Sequence, residues 1–244
     1  VRLRVIGTGS SGNAYLLTLD SGKSLLLDAG VPYRQIVKAV GADWPRLQAA
    51  LITHEHGDHT AAVADLIDRG MTTYTSAGTA GVLCNRLPNR WGIVPVKHQV
   101  PFWATAGATV TPFNVQHDAA EPLGFVVDDA YARERLVYAT DTYYLRYKLP
   151  GVHYWLVECN FCDDLATSDD AVDKRRYRSH MSLDRLKAMF RANDLTQARK
   201  IVLIHLSDAK SDEKRMVREI AELTGVETVA AHAGDEIRLT KAPF

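Results

Sequence analysis

The sequence predicts an α/β fold of the four-layer αββα type, with two sheets face to face and helices outside. Strand-sized apolar runs dominate the chain, and helical patterns are interspersed toward each end rather than alternating regularly as in a doubly wound parallel sheet. No internal repeat, linker or low-complexity tract interrupts the 244 residues, so one domain spanning 1–244 is expected.

The first elements read as strands at 3–6, 14–19 and 25–28, separated by a Gly/Ser loop at 7–12 and by Ser21-Gly22, which makes an opening β-meander. Helices follow at 33–40 and 59–69. The second carries Ala62, Val63, Leu66 and Ile67 at a spacing that forms one apolar face, and residues 49–52 between the two helices form a short buried strand. Further strands are expected at 93–96, 108–115, 123–127, 135–139 and 154–157, then helices at 183–191 and 213–223. Strands 201–204, 227–230 and 236–239 are expected to close the second sheet, and 163–178 is the least structured stretch.

Composition narrows the function classes. Lys plus Arg and Asp plus Glu each number 29, so no global field recruits nucleic acid, and an anionic substrate has to be attracted by metal ions or a local patch. The longest apolar stretches are strand-sized, far below a membrane span, and the chain opens directly on strand-like residues, so no membrane partner is expected. Three cysteines argue against a disulfide scaffold, and Cys159-x2-Cys162 lacks the second pair of a zinc site, which suits a reduced, cytoplasmic protein.

Thr53-His54-Glu55-His56-Gly57-Asp58-His59 follows an apolar run and is the strongest chemical signal. At a strand-to-helix junction His54 and His56 project to one side while Asp58 and His59 open the next helix, so two adjacent cations can share the cluster. Three more polar groups stand just past strand ends: His117, Asp141 and His205. Together His54, His56, Asp58, His59, His117, Asp141 and His205 suffice for two divalent ions, with Asp141 free to bridge them. Imidazole plus carboxylate suits zinc best, with manganese or iron as alternatives. A metal pair generates hydroxide and clamps both attacking and leaving oxygens, which is the chemistry of phosphodiester hydrolysis.

These marks, with Leu27-Asp28-Ala29-Gly30, Thr140-Asp141-Thr142 and Ile204-His205-Leu206-Ser207, resemble the metallo-β-lactamase superfamily nearly end to end. The opening Gly7-Thr8-Gly9-Ser10-Ser11-Gly12-Asn13, Glu158-Cys159-Asn160 and Ser179-His180-Met181-Ser182 resemble its YycJ/WalJ-like branch, related to tRNase Z and RNase J. The resemblance implies a dinuclear DNA or RNA nuclease using a metal-bound hydroxide. It makes the seven residues metal ligands and Asp28 a group that orients them. Asp58 and His180 are implied as catalytic, His180 stabilising the transition state or protonating the leaving oxygen. A phosphodiesterase for cyclic or short signalling nucleotides is the alternative, and a homo-oligomer is compatible with either.

The departures from the pattern carry information too. Only 23 residues separate His117 from Asp141, too few for a tRNA-gripping arm, and the 63 between Asp141 and His205 cannot hold the extra domain of RNase J. Tyr138 stands where tRNase Z has an acidic residue three before the Asp, so a Glu–His pair is not implied. Gly7-x-Gly9-x-x-Gly12 spells a dinucleotide fingerprint but leads into a strand, which removes the helix N-terminus that motif needs. Lys174, Arg175 and Arg176 are the candidate substrate-phosphate contacts, although five neighbouring aspartates equally suit a solvated face.

Overall fold

The fold is that of a computed structural model, which describes residues 1–166, 177–207 and 209–239. The strands are β1 (Arg2–Gly7), β2 (Ala14–Thr18), β3 (Ser24–Leu27), β4 (Leu47–Leu51), β5 (Thr72–Thr75), β6 (Ile93–Pro95), β7 (Phe102–Thr105), β8 (Ala108–Asn114), β9 (Leu123–Asp129), β10 (Glu134–Ala139), β11 (Tyr154–Glu158), β12 (Lys200–Ile204), β13 (Glu227–Ala230) and β14 (Glu236–Arg238). The α-helices are α1 (Tyr33–Val40), α2 (Gly57–Thr60), α3 (Val63–Asp68), α4 (Ala77–Arg86), α5 (Leu183–Ala192) and α6 (Glu213–Thr224).

Two seven-stranded sheets form, in the orders β14-β1-β2-β3-β4-β5-β6 and β13-β12-β11-β10-β9-β8-β7. Each is antiparallel in one half and parallel in the other: β3 to β6 run parallel in the first, β10 to β13 in the second. Strand periodicity explains the layers. Leu25 and Leu27 of β3 face the inter-sheet core with Tyr15, Leu17, Val110, Phe125 and Tyr138, whereas Leu26 faces outward with Ile36, Val63 and Leu66 of the first helical layer. On the far side Trp155, Val157, Ile201 and Leu203 pack against Leu186, Phe190, Met216 and Ile220 of α5 and α6. The αββα expectation is met, and Cys159 and Cys162 are buried in that outer core.

Several sequence expectations change. The segment 236–239 joins the first sheet, not the second: Arg2, Leu3 and Arg4 of β1 pair with Arg238, Ile237 and Glu236 of β14. The helix expected at 59–69 is split into α2 and α3, because Ala62 leaves helical geometry to donate its N–H to the Ala29 carbonyl at 2.9 Å. Strands β5 and β7 and helix α4 were not expected. Thr72–Thr75 is polar by composition yet buries Thr73 and Thr75, while α4 is started by the Ser76 hydroxyl, which accepts from Thr79 N, despite its two glycines.

One close approach fixes the site's scaffold. A Cβ on Gly30 would lie 1.6 Å from the Asp58 carbonyl oxygen, so only glycine lets the segment after β3 lie against α2. Four backbone hydrogen bonds seal this seam, from Asn13 N to Asp58 O, Ala29 N to His59 O, Gly30 N to Asn13 O and Ala62 N to Ala29 O. Gly30→Ala is therefore expected to displace α2. Overpacking of about 1–3 kcal/mol should lower the melting temperature by about 2–12 °C, measurable by calorimetry. An unchanged melting temperature would show that the seam yields freely.

Candidate metal centre

The chemistry-bearing side chains gather at one rim, where β3, β4, β8, β10, β11 and β12 end. His54 and His56 lie two residues apart in the loop between β4 and α2, where His56 is extended, and their rings face one site. Glu55 between them faces the other way, accepting from Thr79 Oγ1 at 3.2 Å and Ala120 N at 2.8 Å, which ties the loop to α4 and to the segment after His117. Three residues at this rim, Asp28, Asp141 and His205, are left-handed with φ of 56°, 47° and 55°. Such backbone costs about 1–3 kcal/mol at each non-glycine residue and persists only where surroundings over-determine it.

All seven sequence-predicted ligands are brought together, in two groups. In the first, His54 Nε2 lies 3.0 Å from His56 Nδ1, and His117 Nε2 lies 3.2 Å from the same atom. The opposite nitrogens of two of these rings are engaged: His54 Nδ1 meets the Thr53 hydroxyl at 3.0 Å and His117 Nδ1 donates to the Ser179 carbonyl at 2.9 Å. Lone pairs on Nε2 therefore converge. In the second group, Asp58, His59, Asp141 and His205 converge, with His59 Nε2 3.4 Å from Asp141 Oδ1 and 3.5 Å from Asp58 Oδ2. Asp141 joins the groups, since its other oxygen lies 3.6 Å from His117 Nε2 and 3.9 Å from His54 Nε2.

Asp28 is fully buried and saturated with donors: Thr53 N at 2.8 Å, the Thr53 hydroxyl at 3.0 Å, Tyr138 OH at 2.6 Å and His59 Nδ1 at 2.8 Å. The Tyr138 position, read from sequence as a missing acid, instead supplies a phenol that holds this carboxylate. Burial, with the Asp28 charge beside it, pushes the phenol well above its ordinary range, so it stays a donor.

Glu158, at the end of β11, is the residue that sequence reasoning did not assign. Its Oε1 accepts from His180 Nδ1 at 2.6 Å and from His205 Nδ1 at 2.9 Å, while Oε2 accepts from Thr142 N and Met181 N. A Glu–His pair does exist, built from a different strand than the tRNase Z pattern suggested. Its sequence signals were a carboxylate ending an apolar run, Tyr154–Glu158, and its place in the Glu158-Cys159-Asn160 motif, neither of which gave it a partner.

The electrostatics follow from packing cations-in-waiting around carboxylates. Burial raises the Asp141 carboxyl, but His205, His59 and His54 outweigh it and hold it well below the usual range. Burial lowers His59, yet Asp141 and Asp28 carry it well above an ordinary histidine. Burial lowers His180 as well, and Glu158 and Asp141 overcome this to bring it to about 9. His54 and His117 go the other way, lowered by burial, which suits neutral donor rings.

The donor set fits divalent ions. A tetrahedral ion with bonds of 2.0–2.1 Å holds its ligands roughly 3.3 Å apart, close to the 3.0 and 3.2 Å nitrogen spacings of the first group. His205 Nε2 is buried with no hydrogen-bond partner among the described residues, while its Nδ1 is taken by Glu158. A buried orphan nitrogen 3.9 Å from the Asp58 carboxylate is explained by a cation. Of the remaining candidates, Lys174, Arg175 and Arg176 lie outside the described residues.

Comparison with known proteins agrees with this geometry. Residues 23–206 match the model of the β-lactamase superfamily domain. The exodeoxyribonuclease WalJ of Streptococcus pneumoniae serotype 2 (strain D39) is 30% identical over 246 residues, covering 93% of this chain and 87% of that protein. A ribonuclease Z of Bradyrhizobium diazoefficiens is 27% identical over 156 residues, covering 55% of this chain and 52% of its own. Among solved structures, the metallo-β-lactamase fold protein YhfI of Bacillus subtilis superposes with a TM-score of 0.74 at 19% identity, covering 97% of this chain and 99% of that one. The chain belongs to the β-lactamase superfamily, as one of its metal-dependent hydrolases.

Proposed function

We propose that this protein is a dinuclear metal-dependent phosphodiesterase acting on nucleic acid, with DNA shortened from an end as its main reaction. The observation that carries the reading is the pair of ligand groups sharing Asp141, with the His180–Glu158 pair at their edge. The relative over nearly the whole chain, an exodeoxyribonuclease, supports DNA as the polymer.

In this reading His54, His56 and His117 would hold one ion and Asp58, His59 and His205 the other, with Asp141 available to both groups. Zinc is the best match to the donors, with manganese the alternative. When bound, such a pair supplies a nucleophile at neutral pH and neutralises charge on the phosphodiester. The chain's own residues do the rest. Asp28 fixes His59 so that Nε2 faces the site, and Glu158 fixes His205 in the same sense. His180, half-buried and kept protonated by Glu158, hands a proton to the leaving oxygen.

Asp28→Asn tests the orienting role. An amide cannot accept from all the donors that Asp28 serves, so metal affinity should fall about 10- to 100-fold in a chelator competition. Unchanged affinity would remove Asp28 from the account. For the substrate, metal-loaded protein is incubated with end-labelled single- and double-stranded DNA, RNA of the same sequence and cyclic nucleotides. Progressive shortening of DNA is expected. Hydrolysis confined to cyclic nucleotides would replace the nuclease with a signalling phosphodiesterase, and no hydrolysis of any of them would overturn both.

A further inference from the structure

Beside the metal centre lies a stack of rings that neither the fold nor the ligand set requires. Tyr143 follows Asp141 by two residues, and its N–H donates to the Gln116 carbonyl at 2.8 Å, which fastens it to the segment carrying His117. Tyr177 stands three residues before His180. Between them sits Arg185 of α5, its guanidinium carbon 4.0 Å from the centre of the Tyr143 ring and 4.1 Å from that of Tyr177. Arg185 Nη1 also donates to the carbonyls of Tyr177 at 3.0 Å and His180 at 3.2 Å. One arginine thus aligns two tyrosines and the loop of His180.

Tyr177 is 48% exposed although one side of it is stacked on a cation, so part of its ring stays open to solvent. An open cleft of about 440 Å³ adjoins this stack, lined by Gln116, His117, Asp118, Tyr143 and Arg178. His117 directs its Nε2 toward the metal centre, so the cleft and the centre share a wall. The cleft is thus placed to receive the nucleoside flanking a phosphodiester at the centre.

We infer that Tyr177, Tyr143 and Arg178 form a subsite for an unpaired nucleotide, the base stacking on the exposed tyrosine and Arg178 facing the neighbouring phosphate. This rests on the nuclease reading above and adds the form of the substrate that it takes. Inside a duplex both faces of a base are covered by neighbours, so only a single-stranded or frayed end offers a free face to an aromatic platform. With no net charge on the chain, such local contacts are what hold a polyanion. Because Arg185 also holds the His180 carbonyl, its replacement would confound the test; Tyr177 makes no such bond through its ring.

Tyr177→Ala and the unaltered enzyme are compared on three substrates: a single-stranded oligonucleotide, the same oligonucleotide with an abasic terminal sugar, and methyl 4-nitrophenyl phosphate. The substitution should raise KM for the intact oligonucleotide about 5- to 150-fold and leave the small diester unaffected. Removing the base should impose the same penalty on the unaltered enzyme and none further on Tyr177→Ala. Independent, multiplying penalties, or an unchanged KM, would overturn the subsite while leaving the nuclease intact. An unaltered enzyme that hydrolyses the small diester but no oligonucleotide would contradict the nuclease reading and the subsite with it.

Discussion

Asp141→Ala is expected to lower turnover on every phosphodiester by about three orders of magnitude and to reduce bound metal. The carboxylate sits within 4 Å of the site-facing nitrogens of His54, His59 and His117 and of Nδ1 of His205, so its removal subtracts a ligand from both groups at once. Metal polarisation contributes several kcal/mol of transition-state stabilisation, and each 1.36 kcal/mol is a factor of ten. The alanine also leaves His59 and His205 facing each other without the charge between them. Circular dichroism must therefore show a folded protein before the kinetics are read. A folded variant that retains full metal content and loses less than tenfold in rate would deny Asp141 the shared position.

His180→Ala should lose about 10²- to 10⁴-fold on a DNA substrate while keeping its metal, the range for a positioned general acid. The ring is held by Glu158 at 2.6 Å and stands 4.0 Å from Asp141, outside the closest ligand contacts. An alkoxide leaving group needs that proton, whereas a nitrophenolate needs little, so the defect should shrink sharply on a nitrophenyl ester. Equal losses on both would assign His180 to charge stabilisation instead. Loss of an ion would make it a ligand through the third donor group, in which Asp141, Glu158, His180 and His205 converge.

The site was legible in sequence where chemistry coincided with local pattern. The His-x-His-x-Asp-His run declares itself by the period of extended chain, and His117, Asp141 and His205 each stand just past an apolar strand, so their convergence needed only that the strands share a rim. Glu158 was not legible because its partners are 22 and 47 residues away and meet it only once β10, β11 and β12 lie side by side in parallel. Tyr138 misled for the same reason: its hydroxyl reaches Asp28 across the two sheets, 110 residues back. The layers followed from alternating burial, but the sheet that β14 joins depends on pairing with β1 at the other end of the chain, which no local propensity encodes. The β5 strand hid behind four polar or half-polar residues, of which Thr73 and Thr75 are buried only by the fold, Thr75 donating to the Ile52 carbonyl.

The central claim is that two ions sit in these two groups. Elemental analysis of the protein saturated with zinc, freed of loose metal by gel filtration, tests it most directly. Two equivalents per chain are expected, falling toward none in Asp141→Ala and holding at two in His180→Ala. A single equivalent at saturation in active, unaltered protein would contradict the dinuclear centre.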